Sequence, residues 1–141
     1  MNHEHEQLKK YHRQHSDFLV PFDNGDFAYT KDGVEHLIRD GKEIASGDKV
    51  FSFNNGDYMW AKKDVQHLIR DGEEIASGYF VWSYDNGDYV YGKNCIHHLV
   101  RNGVEIASGE YIRSLGEGSF LCIGDGYYLI VTNGESRILK L

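Results

Sequence analysis

This sequence predicts an all-β protein made of four tandem copies of one small sheet, and three observations carry the prediction. The segment from His36 to Gly47 returns almost unaltered at His67 to Gly78 and again at His98 to Gly109, each time 31 residues on. Short apolar runs inside each copy are separated by Asn-Gly and Asp-Gly pairs, the residues that reverse a strand. The 141 residues are 40% hydrophobic and 13% aromatic, enough to fill a core. A fixed period in this range marks a repeat architecture, in which each unit buries its apolar surface against its neighbours. Residues 1–16 form a polar, His-rich N-terminal segment, and residues 17–141 form a single repeat domain of units 17–47, 48–78, 79–109 and 110–141. The fourth unit is a worn copy that keeps Gly126, Asn133 and Gly134 in phase.

The second unit shows the elements in order. Val50 to Phe53 forms a first strand, Asn54 to Asp57 a reversal, and Tyr58 to Ala61 a second strand. Gln66 to Arg70 forms a third, which meets Asp71-Gly72 before a fourth at Glu74 to Ser77. Reading Asn55-Gly56 as a two-residue type I′ turn sets Phe53 opposite Tyr58 and Phe51 opposite Trp60. The same reading in the third unit sets Tyr84 opposite Tyr89 and Trp82 opposite Tyr91. One face is then an aromatic slab. The other carries Val50, Ser52, Met59 and Ala61, then Val81, Ser83, Val90 and Gly92, small but scarcely polar. Two apolar faces mean that each sheet is covered on both sides, the bulky face of one against the small face of the next.

Four-stranded units connected in sequence and covered on both faces match the blades of a β-propeller. The stretches Phe22 to Tyr29 and Leu37 to Glu43 resemble the repeats of WD-repeat-like bacterial propellers, whose blades run as apolar strand, Asp-Gly or Asn-Gly turn, strand, strand, Asp-Gly-Lys and a final strand. The resemblance implies a compact propeller-like fold. An open stack of β-hairpins and a β-solenoid are the alternatives, the solenoid less favoured because its strands need no hairpin turns twice per repeat. Four blades also leave room for two chains completing a larger ring.

Charge and composition narrow the partners. A net charge of −7, spread through all the repeats, repels a phosphate backbone, so nucleic acid is a poor partner. Residues 1–16 lack the apolar stretch of a signal peptide or membrane span, which points to a cytoplasmic protein without a membrane partner. Cys95 and Cys122 lack metal or disulfide spacing and read as reduced, buried side chains. The spacing of His3, His5, His12 and His15 is that of a metal tract, yet no cysteine or ordered carboxylate set joins them, and the segment reads equally well as a solvated tail. Neither a cofactor nor a metal site is expected. The acidic turns Asp23 to Asp26, Asn54 to Asp57 and Asp85 to Asp88 lack the ligand alternation of calcium loops and read as turns.

Candidate site residues come from comparing the units with one another. Positions 36–47 and 67–78 agree at eleven of twelve places, whereas 17–35 and 48–66 agree at seven of nineteen. Packing accounts for the leucine, isoleucine and alanine; it accounts less readily for the repeated polar residues. His36, His67 and His98, with Ser46, Ser77 and Ser108, are candidate structural polar groups, each imidazole donating to a repeated serine or a backbone carbonyl. Arg39, Arg70 and Arg101 stand four residues before Glu43, Glu74 and Glu105, within reach of exposed ion pairs, and with Lys31, Lys62 and Lys93 they form a candidate binding row. Tyr29, Trp60 and Trp82, taken as equivalent rings, are candidates for stacking on sugars.

An enzyme needs unlike groups converging on one place, and here nearly every polar residue of interest occurs in triplicate. Ser119, within Gly116-Glu117-Gly118-Ser119, belongs to a turn rather than to a nucleophile elbow. The sequence therefore reads as a non-catalytic binding module for another macromolecule, a protein partner first, of inhibitor or immunity type. A multivalent carbohydrate-binding lectin is the alternative, and an enzyme is the least favoured.

Overall fold

The computed structural model describes residues 18–132 and 136–140, and all regular structure among them is strand. The first sheet holds β1 (Phe18–Pro21), β2 (Phe27–Lys31), β3 (Val34–Arg39) and β4 (Lys42–Gly47). The second holds β5 (Lys49–Ser52), β6 (Tyr58–Lys62), β7 (Val65–Arg70) and β8 (Glu73–Gly78). The third holds β9 (Phe80–Ser83), β10 (Tyr89–Lys93), β11 (Ile96–Arg101) and β12 (Val104–Gly109). The fourth holds β13 (Tyr111–Gly116), β14 (Ser119–Gly124), β15 (Tyr127–Val131) and β16 (Ser136–Lys140). Each is an antiparallel meander with its strands in chain order, the layout of a propeller blade. The fold is all-β and propeller-like.

The turns explain both the meander and one error of register. Where β2 meets β3, Asp32 and Gly33 both have positive φ, 54° and 77°, the requirement of a two-residue type I′ hairpin. Asp40-Gly41, Asp71-Gly72 and Asn102-Gly103 repeat that geometry at the next reversal of each sheet. The Asn-Gly pairs at the first reversal of these sheets, Asn24-Gly25, Asn55-Gly56 and Asn86-Gly87, do not. At Asn55-Gly56 positive φ occurs at Gly56 alone, 94°, because the loop has three residues. Phe53 N–H donates to Asp57 O, and Gly56 N–H donates to Phe53 O. This is a type I turn completed by a left-handed glycine. The extra residue shifts the pairing by one, so Val50 faces Trp60, Phe51 faces Met59 and Ser52 faces Tyr58. Likewise Val81 faces Tyr91, Trp82 faces Val90 and Ser83 faces Tyr89. The expected pairs Phe51 with Trp60 and Trp82 with Tyr91 are therefore replaced, and neither face of a sheet is purely aromatic. Both remain apolar.

The described residues pack as two compact units that divide between Ile75 and Ala76. In the first, Ala28 and Leu37 of the first sheet meet Val50 of the second, with Phe22, Ala45, Tyr58 and Trp60 packed round them. In the second, Val90, Leu99 and Ala107 of the third sheet meet Ile112, Phe120, Cys122 and Val131 of the fourth. The glycine closing each sheet is set by close approach: a Cβ at Gly47 would stand 2.5 Å from the Ala61 carbonyl oxygen, and Gly109 meets Ile123 O in the same way. Those carbonyls accept the next N–H of the chain, Asp48 to Ala61 O at 2.8 Å and Glu110 to Ile123 O at 2.7 Å, and so lead the chain from one sheet to the next. Cys122 is buried, which pushes its thiol up to about 11 and leaves it inert. Cys95, expected to be buried, is exposed: it holds the second position of a two-residue turn after Asn94, with φ 65°.

Candidate binding cleft between the third and fourth sheets

The repeated polar residues form two sets of partners. Each three-residue loop uses its asparagine to fix the turn, Asn24, Asn55 and Asn86 Oδ1 accepting from the N–H two residues on. The aspartates that follow, Asp26, Asp57 and Asp88, are buried. Each accepts a two-pronged hydrogen bond from an arginine: Arg39 Nε and Nη2 reach Asp26 at 3.1 and 2.7 Å, with Arg70 on Asp57 and Arg101 on Asp88 alike. The arginines' partners are thus these aspartates and not Glu43, Glu74 and Glu105. The buried carboxylate raises the Arg39 and Arg101 pKa values, chiefly through its hydrogen bonds. The pair also ties neighbouring sheets together. Arg39 Nη2 donates to Gly56 O at 2.9 Å, Ser52 Oγ donates to Asp26 Oδ2 at 2.6 Å, and Arg101 donates to Gly118 O and Thr132 O.

The glutamates pair with the histidines instead. Glu43 faces Ile38 across the hairpin, which puts its carboxylate on the face that carries His36. His36 Nδ1 meets Glu43, His67 meets Glu74 at 2.5 Å, and His98 meets Glu105 at 2.6 Å. Each imidazole stacks on the aromatic ring opposite it on the neighbouring strand: Tyr29, Trp60 and Tyr91, with centroids 4.8, 4.0 and 4.8 Å away. Ser46 and Ser108 lie across the pairing from His36 and His98. Ser77 is half-buried on β8. Lys31, Lys62 and Lys93 are exposed at the ends of β2, β6 and β10. The rings at one repeat position are Tyr29, Trp60 and Tyr91, whereas Trp82 stands 31 residues after Phe51. The trio Tyr29, Trp60 and Trp82 is therefore not a set of equivalents. His3, His5, His12 and His15 lie outside the described residues.

Trp82 lines a cleft of about 470 Å³ between the third and fourth sheets, within the second compact unit. Tyr79, Trp82 and Tyr84 stand on one side, Tyr111 and Arg113 on the other, and the His97 ring lies near-parallel to Phe80 at 5.3 Å. Tyr79, Trp82 and Tyr111 are 47, 40 and 51% exposed, high values for three large aromatic residues in one place. Burial, then Tyr111, pushes the Tyr84 phenol up to about 12, so it keeps its proton. Burial, then His98, lowers the His97 pKa, and Nδ1 of His97 is shielded with no hydrogen-bond partner among the described residues. No hydrogen bond or ion pair engages the Arg113 guanidinium among the described residues, and the residue is exposed. The sequence reading had Trp82 but missed Tyr79, Tyr111, His97 and Arg113. Their signal was departure from the repeat, because they replace Asp48, Lys49, Glu35 and Phe51 of the earlier units.

No protein-family model matches the chain, and no curated protein matches it. Among solved structures it is similar to the WD40 β-propeller domain of Doa1, at 16% identity and a TM-score of 0.41 over 87% of this chain and 52% of that one. It is also similar to BBS1N in its complex with ARL6DN, at 11% identity and a TM-score of 0.38 over 82% of this chain and 49% of that one. The chain spans about half the length of these structures.

Proposed function

We propose that this chain is a non-catalytic protein-binding module, of inhibitor or immunity type, and that the cleft between its third and fourth sheets is the contact site. The observation that carries the reading is the gathering of Tyr79, Trp82 and Tyr111, all exposed, beside Arg113. Tryptophan, tyrosine and arginine dominate the energetic centres of protein interfaces, and large aromatic surface is otherwise kept from water. The Asp-Arg and His-Glu pairs support a scaffold role for the repeated polar groups, since they join strands of one sheet and the arginines also reach carbonyls of the next. The net charge of −7 favours encounter with a partner of basic overall surface.

The test is affinity capture on the immobilised full chain, identification of the retained protein, and calorimetry with that protein once purified. Saturable binding that weakens about tenfold or more in Trp82→Ala, the scale of an interface hot spot, supports the reading. A second reading, carbohydrate binding, is favoured by the exposed indole of Trp82, whose face suits a sugar ring. Saturable binding of an oligosaccharide with no protein retained selects it, and a measurable turnover overturns both.

A further inference from the structure

The two described junctions between sheets within a compact unit are built from equivalent positions, and they differ where the cleft lies. At the first, between the first and second sheets, Glu35 accepts the Val50 N–H at 2.9 Å and so joins the sheets. Phe51 packs edge-on to Phe22 at 5.3 Å and beside Phe53 at 4.9 Å. At the second, between the third and fourth sheets, the corresponding residues are His97, Ile112, Arg113 and Tyr84, and Trp82 and Tyr111 stand where Val20 and Lys49 stood. A charged side chain has replaced a packing phenylalanine, a histidine whose Nδ1 has no partner among the described residues has replaced a joining carboxylate, and two exposed rings have been added. Packing does not require those changes: the first junction shows the plain solution.

Resting on the protein-binding reading, we propose that the cleft holds a peptide segment of the partner in which an aromatic or large aliphatic side chain stands next to one carboxylate. The apolar side chain lies among Trp82, Tyr84 and Tyr111, and the carboxylate pairs with Arg113. Charge complementarity selects this occupant. Arg39, Arg70 and Arg101 are each held by a buried aspartate, whereas Arg113 has no carboxylate partner among the described residues of an acidic chain. A guanidinium beside apolar rings binds a carboxylate more strongly than one in open water, because the rings exclude solvent on one side. The volume lies in the range of ordinary ligand sites, about 300 to 1,000 Å³, room for a side chain and its neighbour but not for a folded element.

The test titrates the full chain with the peptide acetyl-Gly-Asp-Phe-Gly-amide and follows the Trp82 indole and His97 ring signals by NMR. Control peptides carry Asn for Asp or Ala for Phe, and an oligosaccharide serves as the non-peptide probe. The expected result is saturable shifts at both rings, with affinity falling about tenfold or more for each control and for Arg113→Gln, the loss of one charge-assisted contact. Arg113 is exposed, and an unchanged Tm shows that Arg113→Gln is folded. Equal binding of the Asp and Asn peptides, or an Arg113→Gln chain that binds as wild type does, overturns the carboxylate anchor. So does binding of the oligosaccharide in place of the peptide. Should no peptide bind while a captured protein still binds and is lost in Trp82→Ala, the anchor is wrong and the protein-binding reading stands; should neither bind, both fall.

Discussion

The junction between the first two sheets and the junction between the last two share one side-chain anchor and the glycine crossing that leads the chain onward, and differ in the side chains that close them. Both hold a buried aspartate gripped from two sides by an arginine, Asp26 with Arg39 and Asp88 with Arg101, and in both the arginine reaches a carbonyl of the neighbouring sheet. Around the anchor the first is closed by Glu35 and by the Phe22, Phe51 and Phe53 cluster, whereas the second is open and lined by exposed rings. The comparison separates what the repeat keeps for assembly from what one copy has changed. Assembly rests on the constant part.

The largest effect is therefore expected at the anchor, and it should be nearly equal at the two junctions. Asp26→Ala and Asp88→Ala each leave a half-buried guanidinium without its carboxylate, at a cost of about 3 to 5 kcal/mol. That is a large share of an ordinary domain stability of about 5 to 15 kcal/mol. Denaturant melts of the two variants check it. Replacing both members, as in Asp26→Ala with Arg39→Leu, should recover part of the loss because the uncompensated charge is gone. A loss below about 1 kcal/mol in both single variants would mean that the pair lies at the surface energetically.

The next effect splits the two junctions. Glu35→Ala strips the Val50 N–H of its acceptor and should cost about 1 to 3 kcal/mol. His97→Gln, which places there the residue that the second unit carries as Gln66, should cost far less, because the Nδ1 it removes has no partner to lose. The sign of the pH dependence follows from burial. The folded His97 pKa lies below the ordinary value of 6.5, so the unfolded chain takes up its proton first as pH falls. Wild type should lose stability relative to His97→Gln as the pH drops below about 6.5 through the folded value, and the two should run parallel above it. Parallel curves throughout would place the ring in water.

An effect no larger is expected at the repeated histidines. His67 pairs with Glu74 and stacks on Trp60, but Glu74 is half-exposed. His67→Ala should cost about 0.5 to 1.5 kcal/mol for the hydrogen bond to Glu74, with about 0.5 to 1.5 kcal/mol more for the stack. Thermal melts at neutral pH measure it.

The repeat, the strand count and the reversals at Asn-Gly and Asp-Gly were legible because hairpin chemistry is local: Asp-Gly at positive φ is written in two adjacent residues, whereas the turns at Lys63-Asp64 and Asn94-Cys95 carry no such signature. Loop length was not, since Asn55-Gly56 serves both two- and three-residue turns, and the choice moved Trp60 from Phe51 to Val50. The arginine partners were illegible for a related reason. Arg39 lies four residues from Glu43 but thirteen from Asp26, and only the β2 to β3 pairing, with Phe27 facing Ile38, puts Asp26 across from Arg39. The cleft was hidden by the habit of looking for what repeats; His97 and Arg113 are visible only as exceptions to it.

The smallest effect sharpens the comparison at the indoles, one on each side of the division between constant and changed positions. Trp60 lies against His67 and in the packing of the first unit, with its ring 4.0 Å from the imidazole, whereas Trp82 is 40% exposed in the cleft. Acrylamide should quench a chain that keeps only Trp82, made as Trp60→Phe, more strongly than one that keeps only Trp60, made as Trp82→Phe. Neither substitution empties its site, because a phenyl ring keeps most of the indole's contacts, so stability should change less than in the anchor variants above. Equal quenching would mean that Trp82 is covered in solution, and the second junction would then be closed by packing of its own side chains, as the first junction is. If Trp82 is the more accessible ring, occupation of the cleft should reduce its quenching and leave that of Trp60 alone, which ties the optical signal to the changed junction and not to the repeat.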